Sequence, residues 1–256
     1  MRIVVCMKQG IDPKTVKISR SREELDLREA RRQTQGEDKF ALEAALKVRE
    51  AQGGNVIAVV VGNRGAEETA REAVAMGADK AVLITQKGLP TGKAVTALVK
   101  AAVERLGGAD LVLAGQGGDL DTVGPLAGRL AAALGWPLIM DALHFDVEPA
   151  GLYAVAAYEG KAVRLPVVLP VVAEIKPGPD RPRYPHPSRI AVAWNEGYVE
   201  TWRADEMGVE EEALAPEAEM GGLVLGAERQ RGQLIGGAPE QAGEELVGIL
   251  RGKRLL

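Results

Sequence analysis

Residues 109–125 read ADLVLAGQGGDLDTVGP, and this stretch carries the residues best placed to do chemistry. An apolar run at 110–114 passes straight into Gly115, Gln116, Gly117, Gly118, Asp119, Asp121, Thr122 and Gly124. Glycine has no side chain, so its main-chain N–H can come close to a ligand. A helix starting near Gly124-Pro125 would turn its positive end into the same space, which favours an anion. Pro125 suits a first helical turn, where no N–H is needed. The chemistry on offer is the holding of a nucleotide phosphate. Gln116 and Thr122 would add donors, Asp121 would cap the helix, and Asp119 would meet a ribose hydroxyl. A tight strand-to-helix turn without ligand would use the same glycines, and the glycines alone do not separate the two. The stretch has neither the GKS/GKT of a P-loop nor GxGxxG.

Other candidates are weaker. Gly62 and Gly65 follow the apolar run NVIAVVV at 55–61, which ends in Val61, and by themselves suit an ordinary strand-to-helix loop. Cys6 closes the run RIVVC at 2–6 with no His or basic neighbour in sequence, so a small buried residue is expected. Asp38 and Glu43 would make a carboxylate pair, but Asp38 stands where a helix N-cap belongs, and capping is the expected role. His144 and His186 are too few for His-based catalysis or a metal site, and His186 is expected as a solvated loop residue. Residues 177–190 hold five prolines, three arginines and one tyrosine. Prolines stiffen a loop before a partner arrives, and Arg and Tyr concentrate at energetic centres of interfaces. An interface loop is expected there.

Certain elements must position these residues. Short apolar runs at 2–6, 55–61, 80–84 and 110–114 read as buried strands. Helical periodicity at 38–51, 66–76, 91–106 and 124–134 alternates with them, with Thr91 a cap and Gly53, Gly77 and Gly107 as stops. This alternation predicts an α/β fold whose parallel sheet has helices on both faces, and ligands in such sheets bind beyond the carboxyl ends of the strands. Residues 138–147, 152–158 and 162–175 read as further, partly antiparallel strands, with Pro166 and Pro170 at an edge or strand end. The stretch 205–219 is acidic and weakly patterned, and a final amphipathic helix spans 239–250. The expected division is a core over 1–204 and a linker with a C-terminal arm over 205–256, the arm packed on another chain.

Composition narrows the function classes. Lys and Arg total 32 against 36 Asp and Glu, a net charge of −4, which is no footprint for nucleic acid. Aromatic residues are 4% of the chain, too few for a base-stacking surface. A single cysteine excludes an intrachain disulfide framework. MRIVVCMK is too short an apolar start for a signal peptide, and no run reaches membrane-spanning length. A cytoplasmic protein with no membrane insertion is expected.

Several motifs in order resemble the β subunit of electron transfer flavoproteins. They are Lys8-Gln9 followed by Asp12-Pro13, DKFALE at 38–43, MGAD at 76–79, DLVLAG at 110–115, Gly135-Trp136-Pro137, and RPRYPHPSRI at 181–190. The resemblance implies an adenine nucleotide alpha hydrolase-like parallel-sheet fold with added antiparallel strands and a C-terminal helical arm. It implies a heterodimer with an α subunit that binds most of one FAD, and a structural AMP in the β subunit. Electrons would pass from dehydrogenases to a membrane-associated quinone oxidoreductase, with no catalytic residue in this chain. Cys6, Asp38, Val61, Gly62 and residues 115–124 fall at the family's AMP-contacting positions. Arg181, Arg183, Tyr184, Pro185, His186 and Pro187 fall where the family docks dehydrogenases. The chain departs from the family pattern at Gln35-Gly36-Glu37, where Asn-Pro-Phe is usual, and at Pro187, where a docking leucine is usual. These departures point away from acyl-CoA dehydrogenase docking in the mammalian manner. Two alternatives share the fold class. A universal-stress-type ATP-binding module would need neither the Pro/Arg/Tyr loop nor a terminal helix. An adenylating ligase would need a serine-bearing pyrophosphate loop, and 115–124 has no serine.

Overall fold

The computed structural model describes residues 1–19, 24–88, 90–117, 124–215 and 232–256. They divide into two compact units, Met1–Ile18 with Asp26–Gly221, and Ser19–Leu25 with Gly222–Leu256. In chain order the strands are β1 (Arg2–Met7), β2 (Gln9–Ile11), β3 (Lys17–Ser19), β4 (Glu24–Asp26), β5 (Arg32–Thr34), β6 (Asn55–Gly62), β7 (Lys80–Thr85), β8 (Leu111–Gly115), β9 (Leu138–Glu148), β10 (Gly151–Tyr158), β11 (Lys161–Pro166), β12 (Val171–Ile175) and β13 (Val199–Arg203). The helices are α1 (Gly36–Gln52), α2 (Glu67–Met76), α3 (Gly92–Arg105), α4 (Leu126–Leu134), α5 (Pro187–Ala193), α6 (Glu211–Leu214) and α7 (Pro239–Gly252).

The first unit is organised by a 9-stranded sheet in the order β11-β10-β9-β12-β8-β1-β6-β7-β13. Every neighbouring pair from β9 to β13 is parallel, while β10 pairs antiparallel with both β9 and β11. The Val- and Ile-rich strands are buried on both faces because helices cover both. Ile3, Val5 and Met7 of β1 pack with Leu42 and Leu46 of α1 and Val74 of α2. Val4 and Cys6 point the other way, to Leu98 and Val99 of α3 and Leu130 of α4. One strand thus feeds two cores by its two-residue alternation.

Thr91 caps α3 as expected, its hydroxyl accepting from the Ala94 N–H at 3.4 Å. Other expectations need correction. Asp38 is not the cap of α1. Gln35 holds that position and makes no side-chain cap bond, and Asp38 lies inside the first turn. The expected strand over 162–175 is two strands, separated by a segment with a cis Leu169–Pro170 bond. The proline-rich stretch 177–190 is expected as a loop, yet α5 begins at Pro187. Proline's fixed φ suits the first helical position, and His186, not merely a solvated loop residue, caps it by accepting from the Ser188 N–H. Edge strand β13 and the β2–β5 pair have no counterpart in the expected elements. Beyond residue 204 the body of this unit continues, since Met207, Val209 and Leu214 pack on the α3–α4 core. In the second unit, α7 confirms a terminal amphipathic helix, with Leu246 and Val247 exposed.

Candidate functional site

From β1 the chain steps to β6 and β7 on one side, then returns to β8 on the other side of β1. The strand order therefore reverses between β1 and β8, and the crevice beyond their carboxyl ends is where such sheets take ligands. The first turn of α1 lies against this point. Asp38 is fully buried there and joins both strands. Its Oδ2 accepts from the Lys8 main-chain N–H at 2.7 Å, and its Oδ1 accepts from Lys8 Nζ at 2.8 Å and from the Gly115 N–H at 3.1 Å. Burial pushes the Asp38 carboxyl above the usual carboxylate range, and the Lys8 ammonium opposes that push. A Cβ on Gly115 would sit 2.5 Å from Asp38 N and Glu37 C. Gly115 is thus required by the close approach of α1, and its N–H is already bonded.

Cys6, next to this crevice in β1, is 1% exposed, and burial pushes its thiol up to about 12. It is a neutral, inert side chain at physiological pH. At the end of β6, Val61 and Gly62 are buried, and a Cβ on Gly62 would come within 2.8 Å of Ala66 Cβ. Asn63 Oδ1 accepts from the Gly65 N–H at 2.8 Å, and Gln9 Nε2 donates to the Gly65 carbonyl at 2.8 Å, tying the loops after β1 and β6 together. Gln35, in the departing box, lies across Gly10 where a Cβ would collide with it.

The N–H of Gln116 donates to the Ile175 carbonyl at 2.9 Å. Its side-chain amide donates to Asp141 Oδ1 at 3.2 Å and Glu174 Oε1 at 3.4 Å. Asp141 sits at an irregularity of β9, with φ 51, where the β9–β12 register shifts. Burial, then the Asp141 carboxylate, raise the pKa of Glu174. Sequence reasoning missed this Gln116–Asp141–Glu174 cluster, because it depends on the shift in β9. Gly117 is exposed. Gly118, Asp119, Asp121 and Thr122 lie outside the described residues. Gly124 has φ 69, and Pro125 precedes α4 with no side-chain cap bond and no acidic residue in the first turn of that helix. Among the described residues, no group of three or more His, Cys, Asp or Glu could hold a metal, and no helix is long and apolar enough to cross a membrane.

The interface candidates lie after β12. Arg181 is exposed, and Tyr184 is 94% exposed. Pro185 is partly covered, and His186 and Pro187 open α5. Arg183 points inward. Its Nε and Nη2 donate to Glu43 at 2.8 and 2.9 Å, and its Nη1 donates to Glu50 at 2.6 Å. Glu43 is buried at 4% exposure by this contact and forms no pair with Asp38. Arg189 donates to the carbonyls of Val74 at 3.1 Å and Ala78 at 3.0 Å. The structure therefore gathers Cys6, Asp38, Val61, Gly62, Gly115 and Gln116 at one sheet end and holds the loop residues separately on α1 and α2.

Residues 26–206 match the electron transfer flavoprotein domain. The chain is 33% identical over 224 residues to the electron transfer flavoprotein subunit beta of Thermoanaerobacterium thermosaccharolyticum, covering 84% of this chain and 83% of that protein. It is 32% identical over 223 residues to the subunit beta of Clostridium acetobutylicum, with coverage of 84% and 83%. It is 31% identical over 221 residues to the caffeyl-CoA reductase-Etf complex subunit CarD of Acetobacterium woodii, with coverage of 83% and 82%. On these similarities the chain belongs to the electron transfer flavoprotein family, with its β subunits.

Proposed function

We propose that this chain pairs with an α subunit to hold FAD, keeps a structural AMP at the carboxyl ends of β1, β6 and β8, and relays electrons from dehydrogenases towards a quinone oxidoreductase. Family membership supports the electron-transfer role. One observation supports the nucleotide most strongly, namely the N-terminus of α4 beside the β1–β8 crevice. Among the described residues no side chain caps its first-turn N–H groups, and the turn itself holds no carboxylate to repel an anion. The N–H groups of Gly115 and Gln116 are bonded within the protein. Phosphate recognition would therefore fall to Gly117, Gly124 and the α4 first turn, with Gly118 and Thr122 adding donors and Asp119 turned to a ribose hydroxyl. Cys6, Val61 and Gly62 would supply the strand ends that the nucleoside rests on, and Asp38 holds β1 and β8 in place behind them. FAD, when bound, supplies the electron-transfer chemistry, and protein groups position and tune it. The loop with Arg181, Arg183, Tyr184, Pro185, His186 and Pro187 would meet the dehydrogenase.

Mass spectrometry of small molecules released by denaturing the purified heterodimer tests this reading. AMP and FAD in equal amounts are expected, with AMP alone retained by the isolated chain. Flavin at both positions would overturn the structural nucleotide, and no adenine nucleotide or flavin at all would overturn the whole reading.

A further inference from the structure

Arg183 uses its main-chain N–H, its Nε and both terminal nitrogens on two carboxylates of one helix. Glu43 accepts from the main-chain N–H at 3.0 Å and from Nε and Nη2, while Glu50 accepts from Nη1 and from Nη2 at 3.2 Å. Glu43 and Glu50 lie seven positions apart on α1, two turns along the same face. Six residues further on, Arg189 bonds two carbonyls at the end of α2. Arg71 of α2 adds a third tie, donating to the Ala193 carbonyl and stacking 4.3 Å over Trp194. Between these ties Tyr184 stands almost fully in solvent, with Pro182, Pro185 and Pro187 around it. A bidentate arginine fork fixes direction as well as distance.

We propose that Arg183 and Arg189 are positioning residues that fasten residues 182–190 to α1 and α2, so that Tyr184 is offered to the electron donor in one fixed pose. This rests on the docking reading above. Arg183 then acts through Glu43 and Glu50. Because α1 also places Asp38 at the sheet crevice, the loop is referenced to the same rigid helix as the nucleotide end.

The test uses the intact heterodimer, with the dehydrogenase that reduces the wild-type complex as probe. Amide hydrogen exchange across 182–190 and the KM and kcat for the complex as electron acceptor are measured. Arg183→Ala is expected to speed exchange about tenfold and to raise KM about tenfold, with kcat within about twofold and flavin content unchanged. Arg183→Lys should fall between, and Glu50→Gln, which removes only the outer tie, should loosen the loop with the fold intact. Tyr184→Ala should raise KM while exchange stays slow. Wild-type exchange in both Arg183→Ala and Glu50→Gln would overturn the bracing. Loosened exchange with unchanged KM would overturn its role in docking. Unchanged KM in Tyr184→Ala would instead sink the docking reading on which the proposal rests.

Discussion

Asp38 ties together residues 30 and 77 positions away, and that one carboxylate joins β1, β8 and α1. Removing one member of a buried ion pair takes from the other its nearest countercharge, which costs more than the pair itself contributes. Asp38→Ala is therefore expected to lower stability by about 3–5 kcal/mol in urea denaturation, and Asp38→Asn by less, since an amide oxygen still accepts. A loss below about 1 kcal/mol for the alanine would mean the pair does not fasten the strands. Gly115→Ala provides a separate check, because its Cβ would overlap α1 backbone that cannot withdraw. A loss of about 1–3 kcal/mol or more is expected with or without added AMP, whereas a loss seen only with AMP present would assign the glycine to the ligand instead. Cys6 was legible as buried from its place at the end of an apolar run. The bridging role of Asp38 was not, because a carboxylate near a helix start looks like a cap until the fold shows which strands lie beside it. Glu43 was hidden for the same reason, its partner Arg183 being 140 positions away.

At the scale of elements, the long strands and helices follow from patterns that fill a window, and β6 with α3 are clear cases. Strands of three residues, such as β2 and β5, offer no period to read, and they hold only by pairing with each other. Strand β13 adds itself to the edge at β7 through a five-residue register, and its sequence VETWR carries only a half-buried signal. Helix α5 was obscured because prolines read as breakers, although proline at a first turn begins a helix well. The tie between α1 and the loop after β12 makes a pH prediction. The Arg183 guanidinium holds the Glu50 carboxyl below the usual carboxylate range, with Arg49 and Lys47 adding to the effect. A depressed folded value means that the contribution of Glu50 is complete above the unfolded value of about 4.3 and is lost as pH falls through the lower folded value. Loop exchange in wild type and Glu50→Gln, corrected for intrinsic rates, should differ at pH 6 and converge on acidification. A difference that persists at pH 2 would show that the Glu50 charge is not what holds the loop.

At the scale of the whole molecule, every residue of both buried cores belongs to the first unit. Helix α7 belongs to the second unit and holds no buried residue, and its Leu246 and Val247 are 46% and 39% exposed. An amphipathic helix of this length gains little stability alone in water, so its apolar face is available to a partner. The proposed heterodimer supplies one, and two consequences can be separated. Deleting residues 232–256 should leave the unfolding free energy of the isolated chain within about 1 kcal/mol of the full-length value, because no buried core side chain is lost. The same deletion should weaken association with the α subunit about tenfold or more, read as FAD lost on dilution of the purified heterodimer. Substituting Leu246 and Val247 together with serine should reproduce the second effect without the first. A truncated chain less stable by several kcal/mol would place the helix in the stability of the core, and undiminished FAD retention would remove the α subunit as its partner.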